Sequence, residues 1–200
     1  MNGKKLQLPK ISYNSPFILT YAIISFAALL ISYLTGGAST LLLFSVYRSS
    51  LANPLFYVRL FTHVIGHASL SHYVGNFMII LLVGPMLEEK YGSKSLLLMT
   101  LFTAFVTGLF NVIFFPDTAL LGASGIAFML ILLSSFANHT QGKIPLTLIL
   151  VALLYLGGEI IDGVFADDNI SQISHIIGGI CGCIFGWIIT AKKRSSYSEL

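Results

Sequence analysis

Charge is what this sequence has least of. Only 10% of its 200 residues are Asp, Glu, Lys or Arg, against about 25% in soluble domains. With 56% hydrophobic residues and a mean hydropathy of +0.86, that scarcity excludes an ordinary water-soluble domain and places the chain in a bilayer. Cysteine is scarce too: Cys181 and Cys183 are the two present. Two residues apart on a helix they point to different faces, so a bridge between them is not expected. No internal repeat, low-complexity segment or second domain stands out. The N-terminus is expected to carry no cleavable signal peptide, because its first apolar run is long enough to span and lacks a small-residue cleavage site.

What is present is a series of long apolar runs. A membrane helix needs about 20 mostly apolar residues, and such runs lie near 16–34, 70–87, 95–115, 119–137, 144–161 and 171–190. The expected fold is therefore all-α, a polytopic six-helix bundle over 16–191 with tails at 1–15 and 192–200. Breaks come at Glu88–Gly92, Pro116-Asp117, Asn138–Pro145 and Asp162–Asn169. The stretch 35–69 is hydrophobic but interrupted by Gly36-Gly37, Arg48, Pro54 and Arg59, so it reads as a long interfacial loop between the first two spans. A further span around 39–47 would be too short.

Charge asymmetry orients the bundle. With a cytoplasmic N-terminus, the inside segments hold Lys4, Lys5, Lys10, Lys90, Lys94, Lys143, Lys192, Lys193 and Arg194, and the outside segments hold Arg48 and Arg59. That distribution satisfies the positive-inside rule with both termini cytoplasmic. The net charge of +3 thus reports topology and gives no reason to invoke nucleic acid.

In a bilayer the informative residues are polar groups set in apolar runs, because each must find a partner. His63 and His67 are four apart, as are His72 and Asn76, so each pair shares a helix face. Ser71 is a plausible N-cap for the second span. The bland reading of this cluster is a polar knot satisfying a loop. A zinc site is disfavoured, since no Glu completes a His-Glu-x-x-His pattern and no cysteine is near. No metal or cofactor is expected.

Gly122-Ala123-Ser124-Gly125 opens the fourth run. Glycines around a serine leave its hydroxyl accessible, and a helix N-terminus favours an oxyanion; the bland alternative is small-residue helix packing. His175 begins a stripe of small residues, Gly178, Gly182 and Gly186, suited to close helix contact. Glu88-Glu89-Lys90-Tyr91-Gly92 reads as a solvated turn without chemistry. In the topology above, His72, Asn76, Ser124 and His175 meet near the outer surface. A nucleophile, a base and hydrogen-bond donors at one depth form a minimal acyl-transfer set.

These motifs resemble those of rhomboid intramembrane serine proteases. The chain shows Arg59 leading into His63-x3-His67-x4-His72-x3-Asn76, then Glu88-x-Lys90-x-Gly92, Gly122-x-Ser124-Gly125 and His175-x2-Gly178-x3-Gly182. The resemblance implies that Ser124 is the nucleophile and His175 the general base. His72 and Asn76, with the Ser124 N–H, would form the oxyanion hole. It further implies structural support from His63, His67, Gly122, Gly125, Phe128, Gly178 and Gly182, and gating by the fifth span and the Asp162–Asn169 loop. Substrates would be transmembrane proteins in a bacterial-type plasma membrane. Phe128 stands where the family often has a Tyr stacked under the histidine, and Lys90 where it usually has Arg. Two other readings differ in class. A pseudoprotease of the same family would bind clients without cutting them, and a transporter would need charges at mid-span. Glu159, near the outer end of the fifth run, is the acidic residue set within a span.

Overall fold

The computed structural model describes residues 12–136, 146–147, 149–151, 153–154 and 170–198, with side chains of the last segment described over 172–190. Most of the 144–161 run, Glu159 and the Asp162–Asn169 loop lie outside the described residues. The helices follow in the order α1 (Pro16–Leu34), α2 (Ala38–Leu43), α3 (Pro54–Thr62), α4 (Leu70–Tyr91), α5 (Ser93–Phe114), α6 (Ser124–Ser134) and α7 (Ile170–Ser198).

Four of these are long and apolar enough to cross a membrane: α1, α4, α5 and the Gln172–Thr190 part of α7. The 22 residues of α4 or α5 make a rod of about 33 Å, close to the ~30 Å hydrocarbon thickness. Large apolar side chains cover the outside of the bundle, with Leu34 86%, Leu82 80% and Trp187 70% exposed. Water would not tolerate that surface, whereas lipid is its natural solvent.

The helix ends follow local chemistry. α3 opens with Pro54 in its first turn, and Asn53 Oδ1 accepts from the Leu55 N–H at 3.0 Å. α4 is capped by Ser69, whose hydroxyl accepts from the His72 N–H at 3.1 Å. The cap is therefore Ser69 and not Ser71, which bonds side chain to side chain with Ser69 at 2.9 Å. At the other end α4 runs past residue 87 to Tyr91, and Gly92 turns the chain into α5 with a φ of 82°. α7 likewise continues beyond residue 191 to Ser198.

That longer α4 corrects the reading of Glu88 as part of a solvated turn. Glu88 is 4% exposed, and its carboxylate accepts the N–H groups of Phe17 and Ile18 at 2.8 and 3.0 Å and the Ser93 hydroxyl at 2.6 Å. Ser15, the N-cap of α1, makes no side-chain cap of its own. Glu88 therefore caps α1 from another helix, a negative charge on free amides at the positive end of the helix dipole.

The centre of the bundle is α6. Every residue from Gly125 to Leu133 is buried, with α4, α5 and α7 packed around it. Its 11 residues span only about 16 Å, so the expected span over 119–137 is corrected to a half-length helix. The residues ahead of it are non-helical, and the chain that flanks α2 and α3 explains why that is tolerated. Non-helical backbone at membrane depth survives only where other protein satisfies its polar groups. Here Leu120 exchanges both backbone hydrogen bonds with Val46 at 2.9 Å, and the Gly122 N–H donates to the His63 carbonyl at 2.9 Å. Asn111 Nδ2 adds donations to the Val46 and Thr118 carbonyls at 3.3 and 3.2 Å. The 35–69 segment thus acts as a backbone partner for the non-helical approach to Ser124.

Candidate active site

Ser124 is the first residue of α6 and is half-buried. The N-cap position holds Ala123, which offers no side-chain cap, and the first amides of a helix have no partner within it. An anion placed there would meet N–H donors and the positive end of the dipole.

Two residues earlier, Gly122 has a φ of 123°, a region that side chains rarely adopt. Space forbids a side chain as well: a Cβ on Gly122 would lie 2.8 Å from both Cε1 and Nε2 of His72 and 3.7 Å from Asn76 Nδ2. The glycine thus lets the Ser124 loop lie against two α4 side chains one turn apart. Asn76 is 8% exposed, and its Nδ2 finds no hydrogen-bond partner among the described residues. A buried donor left without a partner costs about 1–3 kcal/mol, so it is a feature for which packing gives no reason.

On the other side, α7 closes against α6 with almost no space between backbones. A Cβ on Gly178 would be 2.0 Å from the Gly125 carbonyl oxygen, and one on Gly182 would be 2.3 Å from that of Met129. Gly125 itself abuts the Ser174 carbonyl, 3.3 Å from a built Cβ. This contact brings half-buried His175 to the head of α6. Its ring stacks on Phe128 with centroids 4.5 Å apart and planes within 5° of parallel. Phe128 lies one turn after Ser124 on the same helix face. Four of the residues singled out in the sequence (His72, Asn76, Ser124 and His175) are thereby gathered at one end of α6 from three helices.

His63 and His67 adjoin this group, His63 through its carbonyl at Gly122 and His67 through its ring against His72. Both ring nitrogens of His63 are engaged, Nδ1 with the Arg59 carbonyl at 3.1 Å and Nε2 with the Thr107 hydroxyl at 3.3 Å. Burial pushes its pKa down to about 4. His67 Nδ1 bonds the Ile65 carbonyl at 3.0 Å, and its ring meets those of His72, Tyr73 and Phe77. Burial, then the nearby His72 imidazole, lowers His67 to about 4 as well. Arg59 is 1% exposed and donates to the Tyr47 and Ser49 hydroxyls at 2.5 and 2.6 Å. Among the described residues no three His, Cys, Asp or Glu side chains group as metal ligands.

Sequence reasoning missed three supports: Glu88, Thr107 and Asn111. The Glu88-x-Lys90-x-Gly92 pattern at the end of an apolar run was the one available signal for the first. Nothing local marked the other two.

Helices of this length and surface, with a half-buried polar cluster among them, define a multi-pass membrane protein. The chain belongs to the rhomboid family, whose Rhomboid domain matches residues 54–192. It is 26% identical to the Bacillus subtilis (strain 168) protein named "Putative rhomboid protease YdcA" over 160 residues, 76% of each chain. It is 30% identical over 133 residues to Rhomboid-related protein 1 of Caenorhabditis elegans, covering 62% of this chain and 37% of that one. With chloroplastic Rhomboid-like protein 11 of Arabidopsis thaliana the figures are 26% over 148 residues, 66% and 52%. The chain thus spans about half or less of these two longer relatives.

Proposed function

We propose that this protein is an intramembrane serine endopeptidase that cleaves transmembrane proteins with a Ser124–His175 dyad. The observation that carries the reading is the parallel stack of His175 on Phe128, one turn from Ser124, behind a glycine contact that fixes the two helices. Packing holds the imidazole, so a third carboxylate is not required to orient it. Phe128 supplies the ring face that the family's more usual Tyr would supply.

In this mechanism His175 takes the Ser124 proton as the hydroxyl oxygen attacks the scissile carbonyl. The negative charge that develops is met by the Ser124 N–H at the helix end, by Asn76 Nδ2 and by the His72 ring. His175 then gives the proton to the departing amine, and water hydrolyses the acyl-enzyme by the same steps. General base catalysis contributes about 10²–10⁴-fold, and one oxyanion donor about 10²–10³-fold. His63, His67, Gly122, Gly125, Gly178 and Gly182 hold the geometry.

The same reading gives a six-helix domain over 16–191, with the half-length α6 as the fourth helix, the 144–161 run as the fifth and the Asp162–Asn169 loop as a cap over the site. Both tails are cytoplasmic by the charge distribution, in a bacterial plasma membrane. No cofactor takes part.

The test is cleavage of a helix-destabilised transmembrane substrate by purified protein, with Ser124→Ala and His175→Ala beside it. Cleavage that vanishes in both variants is the expected result. If the wild type is inert and a fluorophosphonate probe fails to label Ser124, the protein is a pseudoprotease of this family.

A further inference from the structure

Two adjacent residues of α1 bracket the chain that carries His67 and His72. The Tyr21 hydroxyl donates to the Val64 carbonyl at 2.7 Å in a buried contact. At the next residue the direction reverses, and the Ala22 carbonyl accepts from the Tyr73 hydroxyl at 3.0 Å. One bond ties α1 to the turn before His67, and the other ties it to the residue after His72. Neither tyrosine belongs to the acyl-transfer set.

Between these two ties the aromatic rings form a continuous wall. Tyr73 stacks on Phe77 with centroids 4.6 Å apart, and Tyr21 meets the same Phe77 edge-on at 5.2 Å. His67 lies against Tyr73 and Phe77 at 5.4 and 5.7 Å, and His72 lies edge-on to His67 at 5.1 Å. Phe26, one turn along α1 from Ala22, meets Tyr73 at 5.5 Å. Ring contacts tolerate a wide range of separations, whereas hydrogen bonds weaken steeply with distance and angle. The two hydroxyls are therefore what keeps this wall from sliding along α1.

The wall ends on the His72 imidazole. Its Nδ1 accepts from the Ala68 N–H at 3.5 Å, so in the neutral ring the hydrogen is on Nε2. Nε2 and Cε1 are the ring atoms against Gly122, each 2.8 Å from a Cβ built there. His72 thus turns a donor toward the loop that enters Ser124. A bond as long as that to Ala68 cannot hold a ring by itself, so the pose depends on the neighbouring rings.

We propose that Tyr21 and Tyr73 are positioning residues for His72. Through their hydroxyls α1 clamps the 64–73 segment, and the clamp holds the His72 imidazole as an Nε2–H donor facing the Ser124 loop. The proposal rests on the peptidase reading for the role of that donor, while the clamp itself can be read without activity.

The experiment compares the purified wild type with Tyr21→Phe and Tyr73→Phe, which keep the rings and remove the hydroxyls. Tyr57→Phe, at an exposed tyrosine of α3, is the control. Histidine ring nitrogens are labelled with nitrogen-15 and read by NMR in detergent at pH ~8, where a free imidazole is neutral. The His72 signals are assigned by their loss in His72→Ala, and cleavage kinetics are taken on the same preparations. The wild type and the control are expected to show a single Nε2–H tautomer at His72, and both clamp variants a mixture of tautomers. In each clamp variant kcat should fall about ten-fold, part of the ~10²–10³-fold that a lost oxyanion donor costs, with KM within about two-fold of wild type. In a His72→Ala background the same substitutions should change kcat by less than about two-fold, which a merely structural pair of tyrosines would not give. A single tautomer kept by both clamp variants would overturn the proposal, and so would an undiminished loss of kcat in the His72→Ala background. A wild type that does not cleave, yet whose tautomer depends on both hydroxyls, would sink the peptidase reading and sustain the clamp on His72.

Discussion

Adding one methyl group at Gly178 tests how tightly the site depends on backbone contact. A Cβ there would stand 2.0, 2.8 and 3.0 Å from the oxygen, carbon and Cα of Gly125, all main-chain atoms that cannot swing aside. Ordinary contact begins at 3.4 Å, so Gly178→Ala forces α6 and α7 about 1.4 Å apart at this level or rotates one of them. Overpacking of this kind costs about 1–3 kcal/mol. His175 lies one turn before Gly178, so the same movement carries its ring off Phe128 and away from Ser124. A misplacement of ~1 Å is worth about 10²-fold in rate. The assay is thermal unfolding in detergent, paired with kcat and KM measured well below the variant's Tm. The expected outcome is a lowered Tm and a kcat down about 100-fold with a modest change in KM. Gly75→Ala is the control: its Cβ meets nothing within 4 Å, and removing a glycine from a helix should leave stability unchanged or raise it by up to ~1 kcal/mol. A Gly178→Ala protein with wild-type Tm and kcat would refute the contact account.

Three further outcomes are expected. Glu88→Ala strands the Phe17 and Ile18 amides in a buried place, so it should destabilise by about 2–4 kcal/mol, read as a drop in Tm, whereas Glu89→Ala on the exposed side should have little effect. His63 is held neutral, its pKa down to about 4 from 6.5; the unfolded chain therefore binds a proton first, and the stability present above pH ~6.5 is lost as pH falls toward 4. That slope amounts to about 3 kcal/mol, and a His63→Gln protein whose Tm falls as steeply with acid as the wild type would contradict it. Asn76→Ala removes a side-chain nitrogen with no partner among the described residues, so kcat should fall about 10²–10³-fold while Tm moves by little; a large loss of Tm with intact kcat would make Asn76 a packing residue.

Much of this protein is legible along the chain. The span at 16–34 reappears unchanged as α1, and those at 70–87, 95–115 and 171–190 as α4, α5 and α7 with shifted ends, because hydropathy over about 20 residues is a local property. The pairing of His72 with Asn76, and of Ser124 with Phe128, follows from helical spacing alone, as does the small-residue stripe behind His175. Gly122-x-Ser124-Gly125 marked where to look. The half length of the helix that opens near Ser124 was not legible, since the run 119–137 is apolar throughout and hydropathy cannot distinguish a full span from a half-length helix preceded by non-helical chain. Glu88 was misread because a carboxylate beside Glu89 and Lys90 has the composition of a wet turn, and its partners on α1 are about 70 residues away.

By itself, the sequence determined that this chain lives in a membrane, where the four membrane-length helices among the described residues lie, and which polar residues need explaining. Each of those is set by short-range composition and by the period of a helix. Tertiary structure alone decided that α6 begins inside the protein, that Val46 and His63 satisfy the backbone ahead of it, and that Glu88 caps α1. It also decided that Gly178 meets Gly125 closely enough to lay His175 on Phe128. Those are pairings between groups far apart in the chain. They arise because every polar backbone group withdrawn from water must find a partner, and no local pattern records which partner it finds.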